Sequence, residues 1–178
     1  LSALTLGTNS LETAVTSNGN IFAGTVNLVS DDDSTDSVLG SSLTLASGKS
    51  IAAEVRTSDN GTGSLTLAGG AQTVTGQVGT SDVRLASVTS GIANGDITTF
   101  DGDLFANSVS VGAGTTNFKD TVGATTVAIG AGTANFNVDG GTTTAAIQFA
   151  GAGTANLNQG LTGAITFGLQ NGTVNLAD

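Results

Sequence analysis

Short stretches of alternating apolar and polar residues recur along the whole chain. In Val127-Ala128-Ile129-Gly130-Ala131-Gly132-Thr133-Ala134-Asn135-Phe136 the period is two, the signature of strands rather than of helices, whose apolar residues recur every 3.6 positions. Successive strand side chains point to opposite faces. Thr133 and Asn135 therefore share an outward face, while Ala134 and Phe136 share the inward one. Val127 and Ile129 point inward from the preceding strand, and Gly130-Ala131-Gly132 makes the corner between the two.

The same wording returns at 109–118, 147–157 and 167–176, with Gly-Thr-x-Asn followed by Phe or Leu as its constant part. Its asparagines are Asn117, Asn135, Asn156 and Asn175, spaced 18, 21 and 19 residues apart. A period near 20 residues signals a solenoid in which one repeat is one coil. Val122, Val138 and Leu161 supply a third inward position after each unit, so each coil has three short strands and three corners. Towards the amino end the pattern weakens to Leu4-Thr5-Leu6, Val26-Asn27-Leu28, Leu43-Thr44-Leu45, Leu65-Thr66-Leu67 and Val83-Arg84-Leu85. The step from Arg84 to Asn117 is bridged by 97–100 and 104–105, which read as a less regular coil or an inserted loop near 86–103. These observations predict an all-β chain: a right-handed parallel β-helix of about nine coils, each of about 17–22 residues, forming a single unit over 1–178. Stacked at about 4.8 Å per coil it would be a rod roughly 40 Å long. The chain opens on Leu1 rather than Met and reads as a piece of a longer protein.

Composition narrows the function. The net charge is −10, from 14 acidic and 4 basic residues. Nucleic acid and anionic membrane surfaces require a basic patch, which Lys49, Arg56, Arg84 and Lys119 are too scattered to form. No apolar run is long enough to cross a membrane. With no His, Cys, Tyr or Trp, nucleophile–histidine pairs and aromatic sugar platforms are out of reach, which argues against catalysis. No cofactor is called for. The acidic run of Asp31, Asp32, Asp33 and Asp36 is a candidate Ca²⁺ loop, because hard cations take several carboxylate oxygens. It lacks the alternating spacing and the glycine of a defined calcium loop, and a solvated loop is the competing reading.

The outward pairs Thr25/Asn27, Thr115/Asn117, Thr133/Asn135, Thr154/Asn156 and Thr173/Asn175 are expected to stack into two parallel ladders. Stacked like residues stabilise a sheet through side-chain hydrogen bonds. A sharper alternative is that this array binds ice, although its second column is Asn rather than Thr.

The Gly-Thr-x-Asn-Phe and Gly-Thr-Val-Asn-Leu strands resemble the passenger regions of autotransporter adhesins, including the large surface antigens of rickettsia-like bacteria. That resemblance implies a secreted, extracellular stalk on a bacterial cell surface, non-enzymatic, whose partner is a ligand on a host or neighbouring cell. The uncapped coil ends expected of a solenoid open a second reading, a self-assembling fibre or S-layer-like subunit whose partners are copies of itself docked end to end.

Overall fold

A computed structural model describes residues 1–30, 40–137, 139–168 and 170–177. The strands in the first half are β1 (Ala3–Leu6), β2 (Ala14–Ser17), β3 (Ile21–Leu28), β4 (Ser42–Leu45), β5 (Ile51–Thr57), β6 (Thr62–Leu67), β7 (Ala71–Val74), β8 (Leu85–Ser90) and β9 (Ile97–Phe100). They are followed by β10 (Leu104–Val111), β11 (Thr115–Phe118), β12 (Val122–Ile129), β13 (Thr133–Phe136), β14 (Thr143–Phe149), β15 (Thr154–Leu157), β16 (Leu161–Thr162), β17 (Ile165–Phe167) and β18 (Thr173–Leu176). All their pairings are parallel, and each strand pairs with the equivalent strand one coil away. This is the expected β-solenoid. It has eight turns rather than nine.

Three inward columns define three faces. On the first, Leu4, Val26, Val55, Val78, Leu104, Val122, Thr143 and Leu161 stack in register. The second carries Val15, Leu43, Leu65, Val88, Val109, Val127, Ile147 and Ile165. The third carries Ile21, Ile51, Val74, Phe100, Phe118, Phe136, Leu157 and Leu176. Long strands such as β10 and β12 run from the first face into the second, so a coil with three faces need not have three separate strands.

These registers correct the reading of the amino-terminal half. Thr5 and Asn27 lie on the first face and pair onward to Arg56, whereas Thr44 and Thr66 lie on the second. A single column through all of them implies early coils that are too short and too many. On the third face the steps are 30, 23 and 26 residues before they settle to 18, 18, 21 and 19. The extra residues leave through corners without disturbing the stack. Arg84 precedes β8 and is not a column residue, which removes the apparent gap: β8 pairs with both β6 and β10, and β9 with both β7 and β11. Val138 lies outside the described residues, and Thr143 fills the first-face position between Val122 and Leu161. The Thr143 hydroxyl accepts a hydrogen bond from Asn137 Nδ2 at 3.0 Å.

Buried apolar residues from all three faces form one continuous core. The rings of Phe100, Phe118 and Phe136 stack with centroids 5.5 and 5.1 Å apart, close to the natural spacing of parallel strands. The fold therefore sets the ring separation, and each offset stack adds about 0.5–1.5 kcal/mol to the burial term. Polar groups also enter the interior, at the corner between the second and third faces. Gln72, Thr98 and Thr116 are inward and fully buried, so each needs a partner. Gln72 Nε2 donates to the Ala46 carbonyl at 2.9 Å, its Oε1 accepts the Gly69 N–H at 2.7 Å, and Thr116 bonds Ser90 at 3.0 Å. Further along, Ala134, Ala155 and Val174 take this position and the corner becomes apolar.

The Gly-Ala-Gly corners stack backbone on backbone. A Cβ at Gly132 would lie 2.1 Å from the Gly114 carbonyl oxygen, and one at Gly153 would lie 2.3 Å from that of Gly130. Only glycine permits this approach.

Replacing Phe118 by Ala removes a fully buried ring from the middle of a stack. In urea denaturation it should cost about 3–5 kcal/mol. Phe167→Ala, at a site 52% exposed in the last coil, should cost clearly less. Equal losses would contradict the column assignment.

Candidate functional site

Apart from the depressions described below, the solenoid offers outward sheet faces. On the third face, Thr115, Thr133, Thr154 and Thr173 stack in one column, and Asn117, Asn135, Asn156 and Asn175 in the next. The asparagines form a continuous amide chain. Asn175 Nδ2 donates to Asn156 Oδ1 at 2.7 Å, Asn156 Nδ2 to Asn135 Oδ1 at 2.6 Å, and Asn135 Nδ2 to Asn117 Oδ1 at 2.7 Å. Asn117 Nδ2 reaches Thr99 Oγ1 at 3.5 Å, and the column continues through Thr73. An open depression of about 390 Å³ runs beside it, lined by these asparagines and Asn158.

Thr25 and Asn27, expected in the same ladder, stand on the first face between Ala3/Thr5 and Glu54/Arg56. Their Gly-Thr-x-Asn wording matches, but their place in the coil does not. Spacing alone could not separate a repeat from a near-repeat one face away.

A second array was missed at the sequence level. On the second face the outward pairs Ser42/Thr44, Ser64/Thr66, Ser87/Thr89 and Ser108/Ser110 stack over four consecutive coils. Thr126 extends the first column and Thr16 begins the second. Most of these side chains are half-buried in the sheet surface, and Ser87 Oγ donates to Ser64 Oγ at 2.9 Å. In the sequence the array stands as Ser-x-Thr around Leu43, Leu65 and Val88 and as Ser-x-Ser around Val109, masked by the Leu-Thr-Leu alternation.

Among the described residues, charges sit mainly at corners. Lys119 Nζ lies 2.9 Å from Asp101 Oδ1 and 3.8 Å from Asp139 Oδ2. The hydrogen bond to Asp101 and its charge hold the ammonium pKa above its ordinary value. Asp59 accepts hydrogen bonds from Ser30 and Ser58, which lower its pKa. Asp96 staples a corner by accepting the N–H groups of Gly70 at 2.7 Å and Ala93 at 2.6 Å. The candidate calcium residues Asp31, Asp32, Asp33 and Asp36 lie outside the described residues. Among the described residues no three His, Cys, Asp or Glu side chains gather where they could hold a metal ion. Among the described residues no helix is long and apolar enough to cross a membrane.

Comparison with family models, with curated proteins and with solved structures finds no match to this chain. The faces must therefore be interpreted from their own chemistry.

The amide ladder makes a measurable claim. Asn135→Ala breaks two side-chain bonds, at about 1 kcal/mol each, and should destabilise the chain by about 1–2 kcal/mol. Asn27→Ala, off the ladder, should fall within about 0.5 kcal/mol of wild type. Equal effects in thermal or urea unfolding would remove the ladder as a stabilising element.

Proposed function

We propose that the chain is a rod-forming, non-enzymatic part of an extracellular bacterial surface protein, a stalk that sets distance and presents polar sheet faces to a ligand on a host or neighbouring cell. The observation that supports this most directly is the stacking of three inward columns through about eight coils. Each interior coil buries its apolar residues against its neighbours, so length is gained by repetition alone. The rod spans roughly 35–40 Å, at about 4.8 Å per coil. The resemblance of its Gly-Thr-x-Asn strands to adhesin passengers supports the surface placement. The small, hydroxyl- and amide-bearing outward residues suit a surface exposed to solvent on all sides.

A second reading, assembly of copies end to end, draws support from the last coil. Phe167 is 52% and Leu176 72% exposed there, beside an open depression of about 530 Å³ lined by Leu157, Leu161, Ile165 and Leu176. Exposed strand edges with apolar side chains invite another strand, from further coils of a longer chain or from a second copy.

Two experiments separate these readings. Phe118 and Phe136 occupy successive positions of one column, so excising residues 119–136 joins the chain in register. The stalk reading expects a folded rod shorter by about 4.8 Å and, on intact source cells, labelling by antibodies raised to the chain. Labelling only after permeabilisation would remove the surface placement, and an unfolded excision product would remove the repetition argument. The assembly reading expects concentration-dependent filaments that Leu176→Pro abolishes, because proline at an edge position blocks further strand addition. A chain that stays monomeric at every concentration would exclude it.

A further inference from the structure

We infer that the Ser/Thr array of the second face is an ice-binding surface, a rigid template that holds water in an ice-like arrangement. This does not rest on the stalk reading and is carried by a different face from the amide ladder.

Four facts about the array point to water as its ligand. First, it is a lattice: parallel pairing sets neighbouring hydroxyls about 4.8 Å apart along the rod, and alternate residues about 6.6 Å apart along each strand. The repeat along the rod is close to one oxygen spacing on a prism face of hexagonal ice, and the repeat along the strand is somewhat shorter than the other. Second, the lattice is stiff. Ser42/Thr44, Ser64/Thr66 and Ser87/Thr89 sit in mid-sheet, half-buried and in register, and a β-branched threonine has few χ1 choices. Third, β4, β6, β8, β10 and β12 contain no charged residue, although the chain carries 18 such residues. Fourth, the chemistry of other partners is missing from this face: protein interfaces are anchored by Trp, Tyr and Arg, and sugar binding by aromatic platforms. The chain has no Trp or Tyr, and Phe100, Phe118 and Phe136 are inside.

The third face makes the contrast. Its asparagines bond to one another along the rod, so their amides are committed to the ladder. The hydroxyl array is less committed: among the described residues, Ser87 to Ser64 is the one side-chain bond that links its members. Hydroxyls without protein partners are satisfied by water, and the lattice dictates where that water sits. Threonine methyl groups between the hydroxyls confine the water further, as serine does not.

The test uses the 178-residue chain in a freezing-point osmometer, reading thermal hysteresis and the shape of ice crystals grown in its presence. The inference expects a hysteresis gap and faceted crystals. Thr66→Arg, which places a long charged side chain at the centre of the array, should abolish most of the gap. Thr133→Arg, the same change on the third face, should leave it intact. Ser64→Thr and Ser87→Thr, which add methyl groups and keep both hydroxyls, should widen it several-fold. Circular dichroism near 4 °C checks that each variant keeps its β-sheet signal. Round crystals with no gap from folded wild-type chain would overturn the inference. So would equal losses in the two arginine variants, or a gap unchanged by the added methyl groups.

Discussion

Each residue in this fold stacks on its counterpart one coil away, at the separation of parallel strands. A side chain is therefore acceptable only if it tolerates a copy of itself, or something like it, about 4.8 Å above and below. Phenylalanine meets that condition by ring stacking, aliphatic residues by close packing, and asparagine by an amide chain in which each group both donates and accepts. Glycine meets it at the corners, where stacked carbonyls leave no space for a Cβ.

Charge fails the condition. Like charges directly opposite on neighbouring strands destabilise a sheet, and a chain with 14 acidic residues cannot stack them. Among the described residues every acidic side chain except Glu54 lies outside the strands, where Asp101 and Asp139 flank Lys119 and Asp96 caps backbone N–H groups. On the first face, Glu54 and Arg56 stand within a strand, and there they pair with each other beside the neutral Thr25 and Asn27. The outward columns of the other two faces carry mostly small neutral polar residues, with Ile97 and a few alanines among them. Both arrays, the amide ladder and the hydroxyl lattice, are thus consequences of stacking in an acidic chain, and they differ in how their polar groups are spent.

The carboxy-terminal half was legible in the sequence because its coils are nearly equal in length. Asn117, Asn135, Asn156 and Asn175 occupy the column that their spacing implied, with Phe118 and Phe136 inward as the alternation required. In the amino-terminal half the coils differ in length, and period counting linked Asn27 to Thr44 although they lie on different faces. Loop length is nearly free in a solenoid, so sequence distance there carries little information about register. The inward Thr98 and Gln72 were hidden for another reason. A polar residue at an apolar phase of the alternation looks like an interruption until its corner partners are known. The hydroxyl array needed the same knowledge, since Ser42 and Ser64 belong together only once their strands are seen to pair.

The register of the third face is the claim on which the rest depends, and nuclear Overhauser contacts among side-chain amides test it most directly. The account predicts a sequential chain of contacts from Asn117 through Asn135 and Asn156 to Asn175, flanked by ring contacts from Phe100 through Phe118 to Phe136. It predicts none from Asn27 to any of these. Contacts joining Asn27 to the ladder, or a chain that skips Asn135, would contradict the column assignment and both arrays built on it.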